Sequence, residues 1–415
     1  MAETVNLAAQ LEKALPPQLL ELVRKAGDMV QRLYLVGGIV RDLLLGRPNL
    51  DLDLVVEGDA ISVAQELAAA WGGTVVTQPR FGTAKLCLEG GSLDIVTARS
   101  ETYSRPGALP TVRPGSITDD LFRRDFTINA MAIRLAPEAY GQLVDPFRGR
   151  ADLEAGLIRI LHPNSFSDDA TRLLRALRYE QRLGFHLEAT TEALFHRDVP
   201  MLDTISGDRL RRELELILKE ERPELVLRRA HELGLLSRLH PELRGEGWLA
   251  EKFQQARLAS TRLPPSPGLY LSLFFYPLGR EGTEQLIHRL KFPRALARTL
   301  RDSARLKGLL DELSNPYLLP SHAYRLLQGS CPEAALAVAL ASTSPLAQER
   351  LLLYQNKWRS VKVQLSGDEL QQMGVPPGRE LGLILESLLE ARLDGEVKTK
   401  EEEKELVQRW LEIGD

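Results

Sequence analysis

The amino-acid sequence predicts an α+β head with a mixed sheet, followed by all-α domains. Strand-like runs rich in β-branched and aromatic residues are concentrated in residues 1–138, where helical stretches interrupt them. From Asp168 to the end, apolar residues instead recur at spacings of three and four, and Pro or Gly interrupts the chain at short intervals. The first pattern indicates a sheet combined with helices, and the second indicates a series of short amphipathic helices.

The head contains six runs with strand character, in chain order RLYLV (32–36), DLDLVVEG (51–58), GTVVTQ (73–78), TAKLCLE (83–89), SLDIVTA (92–98) and AMAIRL (130–135). Helices are predicted at the N-terminus, at IVRDLLLG (39–46) and at ISVAQELAAAWGG (61–73).

Length and composition limit the class of protein. A chain of 415 residues is too long for one hydrophobic core, so we expect two to four domains. The net charge of −4 excludes a uniformly basic surface for nucleic acid but not a local basic stripe. No apolar run approaches the ~20 residues of a membrane span, and the N-terminus lacks an apolar signal core. Cys87 and Cys331 fit no metal-binding spacing, which is typical of reduced thiols in a cytoplasmic protein.

Two aspartates interrupt the second predicted strand. Their neighbours have the apolar character of a strand buried on both faces: Leu50, Leu52, Leu54, Val55 and Val56. Residues two apart in a strand share a face, so Asp51 and Asp53 would repel each other unless a cation lies between them or one keeps its proton. Asp94 has a similar apolar setting in a later strand, although it could also be a surface acid. Three carboxylates on adjacent strands can hold two Mg²⁺ ions about 3.5–4 Å apart, as nucleotidyl transfer requires.

A glycine pair joins the first predicted strand to a helix. Gly37 and Gly38 would let the backbone approach a phosphate, and the helix N-terminus would supply N–H donors. Arg41, one turn into the helix, could reach a triphosphate oxygen. Such a pair is more often only a tight turn, but the acidic strand that follows favours a phosphate-binding role.

A dense polar set precedes the last predicted strand. It contains Arg123, Arg124, Asp125, Thr127 and Asn129. Arginine can bind a triphosphate, and small polar groups can hold the hydroxyls of a ribose. The alternative is an ion-paired helix start, in which Asp125 neutralises one of the two arginines.

Residues 165–185 are predicted to form a helix with one polar and one leucine-rich side. The polar side carries Asp169, Arg172, Arg175 and Arg178, which fan across about half the circumference. Asp168 or Ser167 could cap the helix. Asp169 and Arg172 could form a simple ion pair one turn apart, or they could read the Watson–Crick edge of an incoming base.

Six motifs, in their order and spacing, resemble those of class II tRNA nucleotidyltransferases: LVGGIVRDLLLGR, DLD, DIVTAR, DLFRRDFTINAMA, VDPFRGRADL and DDATRLLRALRY. That family includes CCA-adding, CC-adding and A-adding enzymes and bacterial poly(A) polymerases. The resemblance implies a polymerase-β-like nucleotidyltransferase palm followed by helical neck, body and tail. It also implies stepwise, untemplated addition of C and A from CTP and ATP to the 3′ end of tRNA, with Mg²⁺ as cofactor and release of diphosphate.

The resemblance assigns roles to individual residues. The implied metal ligands and catalytic acids are Asp51, Asp53 and Asp94. The implied nucleotide-binding residues are Gly37, Gly38, Arg41, Arg124, Asp125, Asn129, Asp169, Arg172, Arg175 and Arg178, among which Asp169 and Arg172 read the base. One residue departs from the family pattern, because the position before Asp169 is usually Glu and is Asp168 here.

The implied domains are a catalytic head at 1–138, a base-recognising neck at 139–220, a body at 221–310 and a tRNA-binding tail at 311–415. No obligate protein partner is expected. Four basic clusters are candidate RNA contacts, although each could equally be an ordinary solvated helix face: Arg209, Arg211 and Arg212; Arg228 and Arg229; Lys291, Arg294 and Arg298; and Lys357, Arg359 and Lys362.

The nucleotides that are added stay open at this point. Residues 100–122 contain three prolines and a PGALP segment where complete CCA-adding enzymes usually carry a charged, flexible loop, and this is closer to some A-adding members. A poly(A) polymerase is disfavoured by the acidic C-terminus, since non-specific RNA binding needs many basic contacts. An inactive RNA-binding protein is disfavoured by the intact Asp51 and Asp53. A helical phosphohydrolase would need His-Asp pairs, and no histidine is followed by Asp.

Overall fold

The computed structural model describes residues 5–88, 91–260 and 263–414. The chain divides into two compact units, Met1–Glu213 and Leu214–Asp415, which are described separately. Three parts of the predictions lie outside the described residues: positions 1–4 of the N-terminal stretch, Glu89 at the end of the fourth predicted strand, and the C-terminal Asp415.

The first unit is built on a seven-stranded mixed sheet with the order β3-β4-β5-β2-β1-β8-β9. Neighbouring strands are antiparallel except for β2 and β5, which are parallel. Two small sheets accompany it, the antiparallel hairpin β6–β7 and the parallel pair β10–β11. The strands of the described residues are β1 Leu33–Val36, β2 Asp53–Val56, β3 Thr74–Gln78, β4 Thr83–Leu88, β5 Gly91–Thr97, β6 Arg99–Thr102, β7 Thr111–Pro114, β8 Ala132–Arg134, β9 Leu143–Val144, β10 Leu157–Ile158 and β11 His186–Leu187.

The side chains of the central strand β1 show that both faces of the sheet are buried. Leu33 and Leu35 point into the larger core of the unit, together with Leu54 of β2. Tyr34 and Val36 point to the opposite face and join a smaller cluster. This alternation follows the two-residue period of a strand, and it is why the β1 sequence is apolar throughout.

Ten helices of the first unit surround or extend this sheet in the described residues: α1 Ala8–Ala14, α2 Pro17–Met29, α3 Gly38–Leu44, α4 Ala60–Trp71, α5 Ile117–Phe122, α6 Gly149–Ala155, α7 Ser165–Asp168, α8 Thr171–Leu183, α9 Ala189–Asp198 and α10 Gly207–Ile217, the last of which runs across the boundary between the units. Short 3₁₀ turns lie at Pro79–Phe81, Thr127–Asn129, Pro137–Ala139 and Val199–Thr204.

The second unit is helical throughout its described residues, with one 3₁₀ turn at Trp358–Ser360. Its helices are α11 Pro223–Glu232, α12 Leu235–Leu239, α13 Gly247–Ala259, α14 Pro267–Phe274, α15 Arg280–Leu290, α16 Arg294–Lys307, α17 Leu310–Leu313, α18 Pro320–Leu327, α19 Pro332–Ala341, α20 Pro345–Asn356, α21 Gly367–Gln372, α22 Arg379–Asp394 and α23 Lys400–Gly414. Pro stands in the first turn of α11, α14, α18, α19 and α20, where it has no hydrogen bond to lose. None of the described helices is both long and apolar enough to cross a membrane.

The predicted α+β head is confirmed, the remainder is mostly helical, and all six predicted strands form. The neck predicted at 139–220 is not all-α, because β9 extends the main sheet and β10 and β11 form a small parallel pair within it. Two local predictions were wrong. The strand around Asp53 begins at that residue, and Leu50 is 56% exposed because it lies in the loop before the strand. The single helix predicted over residues 165–185 is two helices, α7 and α8, because Asp169 between them has an extended backbone.

Candidate active site

Three aspartates converge where strand β2 begins, beside its neighbour β5. Asp53 opens β2, and its direct partner across the parallel β2–β5 pair is Asp94. Asp51 lies two residues earlier, and one carboxylate oxygen from each of the three residues lies within 4.8 Å of the others. Oxygen ligands at this separation are of the kind that Mg²⁺ prefers.

The electrostatics of this aspartate cluster favour a cation. Burial raises the pKa of Asp53, and the neighbouring charge of Asp51 raises it further, whereas Arg124 acts in the opposite direction. Lys85 on β4 lies beside Asp94, with 3.3 Å between its Nζ and a carboxylate oxygen of Asp94. One lysine at the side of Asp94 does not neutralise three carboxylates, so the residues present fit a divalent cation.

The glycine pair forms the tight turn between β1 and α3, as the sequence predicts. Gly37 has a φ of +80°, a conformation that favours glycine. A Cβ atom at this position would also lie 2.9 Å from Nη1 of Arg124. The lack of a side chain at Gly37 therefore leaves room for the Arg124 guanidinium over the turn. Gly38 is the first residue of α3.

Arg41 is buried and held in place by neighbouring side chains. Its guanidinium donates to both carboxylate oxygens of Asp42, at 2.9 Å each, and to Oδ1 of Asn129 at 2.7 Å. Asn49 donates to the same Asp42 carboxylate and accepts from the backbone N–H of Asp51. This chain of bonds connects the helix after the glycine turn to the loop that carries the first metal-ligand candidate.

Arg123 and Arg124 share a partner that the sequence analysis did not name. Asp120 is fully buried, and it accepts from Arg123 at 2.7 and 2.9 Å and from Arg124 at 3.0 Å. The alternative reading, in which Asp125 neutralises one of these arginines, was wrong. Nε of Arg124 is buried with no hydrogen-bond partner among the described residues, so this guanidinium keeps donor capacity.

Asp125 instead forms a buried ion pair with Arg175. Its Oδ2 accepts from Nε and Nη2 of Arg175 at 2.9 and 2.7 Å, and its Oδ1 accepts from Asn129 at 3.0 Å. Burial alone would raise the pKa of Asp125, but the charge of Arg175 and the hydrogen bonds from Asn129 and Arg175 lower it to about 2. Asp125 is therefore ionised at neutral pH and fixes the position of both partners.

Asp169 and Arg172 lie side by side but do not pair with each other. Asp169 accepts from the backbone N–H and the hydroxyl of Thr171, the first residue of α8, and its other oxygen accepts from Arg209 at 2.7 Å. The N-cap residue of α8 is Ala170, so the prediction that Asp168 or Ser167 caps the helix was wrong. Arg172 donates to the Ser165 hydroxyl at 2.6 Å and to the backbone carbonyl of Arg123 at 2.7 Å.

Tyr179, two turns beyond Arg172 on α8, lies among four arginines. Their guanidinium carbons are 5.2 to 5.9 Å from the ring centroid and belong to Arg41, Arg175, Arg178 and Arg182. Each distance is within the range of a cation–π contact. The aromatic ring thus holds cationic side chains from α3 and α8 together on one side of the site.

These groups surround a cavity of about 460 Å³. Of the predicted site residues, those that line it are Gly37, Gly38, Arg41, Asp51, Asp53, Arg124, Asp125, Asn129, Asp169, Arg172 and Arg175. Asp94 belongs to the aspartate cluster but not to the lining. Arg178 is buried against Tyr179 and lies 3.6 Å from Glu213.

The sequence analysis missed several residues of this cavity. Glu101 and Tyr103 line it from the β6–β7 hairpin, where Glu101 accepts from Arg99, Arg123 and Tyr103. Burial and the charge of Glu101 raise the pKa of Tyr103. Only the pairing of Asp120 with Arg123 and Arg124 could have been found, because spacings of three and four are readable from sequence.

The proline-containing segment 100–122 is an ordered hairpin followed by α5, whose N-terminus has a complete capping box at Ser116 and Asp119. Gly107 has a φ of +70°, and a Cβ there would lie 2.5 Å from the carbonyl oxygen of Thr204. The hairpin is therefore closely packed against the 3₁₀ turn at Val199–Thr204.

Comparison with known proteins identifies two family regions in the chain. The family described as "Poly A polymerase head domain" matches residues 33–159. The family described as "Probable RNA and SrmB- binding site of polymerase A" matches residues 184–245. The first match contains the aspartate cluster and the glycine turn.

Two curated relatives show the range of the similarity. An A-adding tRNA nucleotidyltransferase of Halalkalibacterium halodurans is 49% identical over 52% of this chain and 53% of its own length. A CC-adding tRNA nucleotidyltransferase of Deinococcus radiodurans is 34% identical over 97% of this chain and 96% of its own length. The chain spans about half the length of the A-adding relatives it matches.

Solved structures match over the whole chain. The Thermotoga maritima CCA-adding enzyme complexed with tRNA is 34% identical, with a TM-score of 0.80, and the match covers 99% of this chain and 100% of the other. Complexes of a CCA-adding enzyme with CTP and with ATP give the same identity and coverage and a TM-score of 0.83. The chain therefore belongs to the tRNA nucleotidyltransferase and poly(A) polymerase family.

Proposed function

We propose that this protein is a tRNA nucleotidyltransferase that adds C, A or both to the 3′ end of tRNA from CTP and ATP, without a template. The observation that carries the proposal is the aspartate cluster at the edge of a cavity lined by arginines, in a chain that matches such enzymes over its full length. The division into head (1–138), neck (139–220), body (221–310) and tail (311–415) is part of the same proposal. A cytoplasmic location agrees with the free Cys87 and Cys331.

In this proposal Asp51, Asp53 and Asp94 hold Mg²⁺. When bound there, the metal would supply charge neutralisation at the phosphates and activation of the attacking 3′-hydroxyl. The geometry supports these ligands, because the three carboxylates converge from β2, β5 and the loop before β2.

The remaining residues bind and orient the nucleotide. Arg124 lies over the glycine turn with unused donor capacity, which supports a role at the triphosphate. Asp125, ionised and bonded to Asn129 and Arg175, holds these two side chains at fixed positions where they can meet the ribose and the phosphates. Arg41 is braced by Asp42 and Asn129, so we propose that it supports Asn129 and contributes positive charge.

Base selection is assigned to Asp169 and Arg172, with Arg175 and Arg178 as further nucleotide contacts. A carboxylate can accept from an exocyclic amine, and a guanidinium can donate to a ring nitrogen or carbonyl. Both side chains are fixed by other groups, Asp169 by Arg209 and Thr171 and Arg172 by Ser165. This preorganisation supports selection of a base by the protein alone, because the recognising groups do not have to be ordered when the nucleotide binds.

A second candidate is an enzyme that adds only the terminal A. The 49% identity to an A-adding relative favours it. The proline-containing hairpin also favours it, because complete CCA-adding enzymes usually carry a charged, flexible loop at this position. The Deinococcus relative and the solved structures, which are CC-adding and CCA-adding, keep the broader proposal in place.

The test offers the protein three tRNAs, ending before CCA, after C and after CC, with ATP or CTP supplied separately. Addition of one A only to the tRNA ending in CC would establish the narrower function, and addition of C to the shorter tRNAs would establish the broader one. Asp53→Asn should abolish each addition, whereas Asp28→Asn, at an exposed aspartate of the same unit, should not. The proposal fails if wild-type protein adds nothing to any of the three, or if Asp53→Asn stays active.

A further inference from the structure

The second unit contains a cavity far along the chain from the site described above. It has a volume of about 390 Å³ and lies at the ends of α16, α18, α19 and α20. Its lining combines two arginines, two tyrosines and the turn between α18 and α19: Arg298, Tyr324, Gln328, Gly329, Ser330, Cys331, Pro332, Tyr354 and Arg359. No carboxylate is present among these lining residues, so the cavity presents positive charge.

We call this cavity, which Tyr324 and Tyr354 help to line, the tyrosine cavity. Of its two arginines, Arg359 has more N–H donors without a partner. In the part of the chain that the structure describes, its guanidinium has no hydrogen-bond or ion-pair partner, and it lies 6.0 Å from the ring centroid of Tyr354. A cation–π contact leaves all five N–H donors of an arginine available to a ligand. Arg359 is exposed, whereas the Tyr354 ring beneath it is buried.

Arg298 approaches the cavity from α16 and is partly occupied. One guanidinium nitrogen donates to the carbonyl of Gly329 at 2.9 Å, and Nε lies 3.9 Å from Asp302. Asp302 in turn accepts from the backbone N–H of Cys331 at 2.9 Å. Arg298 is thus fixed against the turn, and its charge is offset in part, which leaves Arg359 as the stronger attraction for an anion.

The turn and the tyrosines complete a site with further donors. Gly329 has a φ of +77°, and a Cβ there would meet nothing within 4 Å, so the backbone of the turn is open to the cavity side. Burial raises the pKa of Tyr354, so its hydroxyl keeps its proton at neutral pH and is a donor, while its oxygen accepts from the backbone N–H groups of Gly329 and Ser330. Tyr324 is half-buried, with its ring centroid 6.0 Å from that of Tyr354, and offers an aromatic face.

The cavity joins two basic clusters that are 61 residues apart in the sequence, counting from Arg298 to Arg359. The first cluster also contains Arg294, and the second contains Lys357 and Lys362, all of which are exposed. In sequence each cluster is indistinguishable from a solvated helix face. The fold brings one arginine from each to a single concave site, so a continuous chain of negative charges could contact both clusters.

We propose that this tyrosine cavity binds a phosphodiester of the RNA substrate, with Arg298 and Arg359 donating to its oxygens and Tyr324 against the attached ribose or base. Aromatic and arginine contacts of this kind are how proteins hold RNA without reading its sequence. The inference rests on the proposed function, because it takes tRNA as the substrate. It adds a specific anchor for the RNA that does not involve the reacting end.

The test measures binding of labelled tRNA to the full-length protein by fluorescence anisotropy over a series of KCl concentrations. Arg359→Gln should weaken binding about three- to tenfold and reduce the slope of log affinity against log salt by about one, as expected for one lost phosphate contact. Arg298→Gln should have the smaller effect, since Asp302 already offsets its charge. Arg379→Gln is the matched control, because Arg379 is an exposed arginine of the same unit that does not line the cavity.

In Arg359→Gln the KM for tRNA should rise in step with the loss of affinity, whereas Arg379→Gln should keep the wild-type KM and kcat. If Arg359→Gln binds tRNA with the affinity and salt slope of Arg379→Gln, the inference is wrong and the proposed function stands. If wild-type protein neither binds nor extends tRNA, the proposed function itself fails. Calorimetry with inorganic diphosphate separates the other source of phosphate: binding that depends on Arg359, together with unchanged tRNA affinity, would overturn the assignment to RNA.

Discussion

The two sides of the cavity beside the aspartate cluster differ in how their charges are compensated. On the sheet side, Asp51, Asp53 and Asp94 converge. Lys85 pairs with Asp94 and the charge of Arg124 acts on Asp53, yet the pKa of Asp53 is still raised. On the side of α8, the acids are already paired. Asp125 is bonded to Arg175, its pKa is lowered to about 2, and Asp169 is bonded to Arg209.

This difference indicates that the two sides respond differently to a bound cation. The sheet side is destabilised by like charges in the absence of a cation, and it gains stability when one binds. The side of α8 is preorganised and has little to gain from a cation. Removing an acid from the sheet side should therefore cost activity but not stability, whereas removing one from the other side should cost stability as well.

The largest effect on activity is expected for Asp53→Asn. We expect incorporation to fall by at least about a thousandfold, because the proposed metal loses a central ligand. The free energy of unfolding should stay unchanged or rise by up to about 1 kcal/mol, because a repelling carboxylate is removed. Single-turnover incorporation and urea unfolding in a chelator measure the two effects, with Asp28→Asn as the control. Clear destabilisation by Asp53→Asn would remove the contrast between the two sides.

Asp125→Asn, unlike Asp53→Asn, should reduce the stability of the fold as well as activity. Breaking this buried ion pair leaves Arg175 with the longer 3.5 Å contact to Glu213, and because the Arg175 side chain is 29% exposed we expect a loss of about 2–3 kcal/mol in the free energy of unfolding. Activity should also fall, since Arg175 and Asn129 lose their anchor. Urea unfolding at pH 7 measures the loss in stability. A stability equal to that of Asp28→Asn would show that this pair contributes nothing to the fold.

The same ion pair predicts a pH dependence. The folded-state pKa of Asp125, about 2, lies below the ~3.9 of an unfolded chain, so its contribution to stability is present above pH ~4 and is lost as the pH falls toward 2. The difference in unfolding free energy between wild type and Asp125→Asn should therefore shrink as the pH falls from 5 to 3. A difference that stays constant over this range would argue against a lowered pKa.

Asp169→Ala or Arg172→Ala should alter the choice of nucleotide more than the rate. One bidentate contact to a base edge is worth about 1–3 kcal/mol, so we expect the preference for ATP and CTP over GTP and UTP to fall about ten- to a hundredfold. The ratios of kcat/KM for the four nucleotides measure this preference. A uniform fall in kcat for all four would show that these residues act in transfer and not in selection.

The smallest effect is expected for Arg209→Gln, which leaves Asp169 and Arg172, the two residues proposed to read the base, in place. Asp169 would lose one of its two fixed oxygens, so the nucleotide preference should fall about two- to fivefold. Arg150→Gln, at an exposed ion pair with Glu154, is the control in the same unit. An unchanged preference in Arg209→Gln would show that Thr171 alone positions Asp169.

The sequence predicted the fold better than the contacts within the site. Strand runs and helical spacing are local patterns, so the mixed sheet and the helical remainder could be predicted from them. Asp51 and Asp53 were predicted to converge because they are two residues apart, and Asp94 because its strand has the same character. The prediction for Asp51 and Asp53 needs no knowledge of the strand order, whereas Asp94 meets Asp53 because β5 lies beside β2 in the sheet.

The partners of the charged residues could not be predicted in the same way. Arg209 is 40 residues from Asp169, and Asp125 is 50 from Arg175, so both pairs depend on how the helices are placed. Lys85 meets Asp94 only because β4 and β5 are neighbours in a particular register. The i,i+3 pairing of Asp169 with Arg172 failed for a local reason, since the helix begins after Asp169.

Binding of magnesium by the aspartate cluster is the central requirement of the proposed nucleotide transfer. The most direct test titrates Mg²⁺ while incorporation of labelled nucleotide into tRNA is measured for wild type and Asp53→Asn side by side. We predict a saturable dependence on Mg²⁺ for the wild type and no incorporation by Asp53→Asn at any concentration. Full wild-type activity in excess chelator, or the same magnesium dependence in both proteins, would contradict the account.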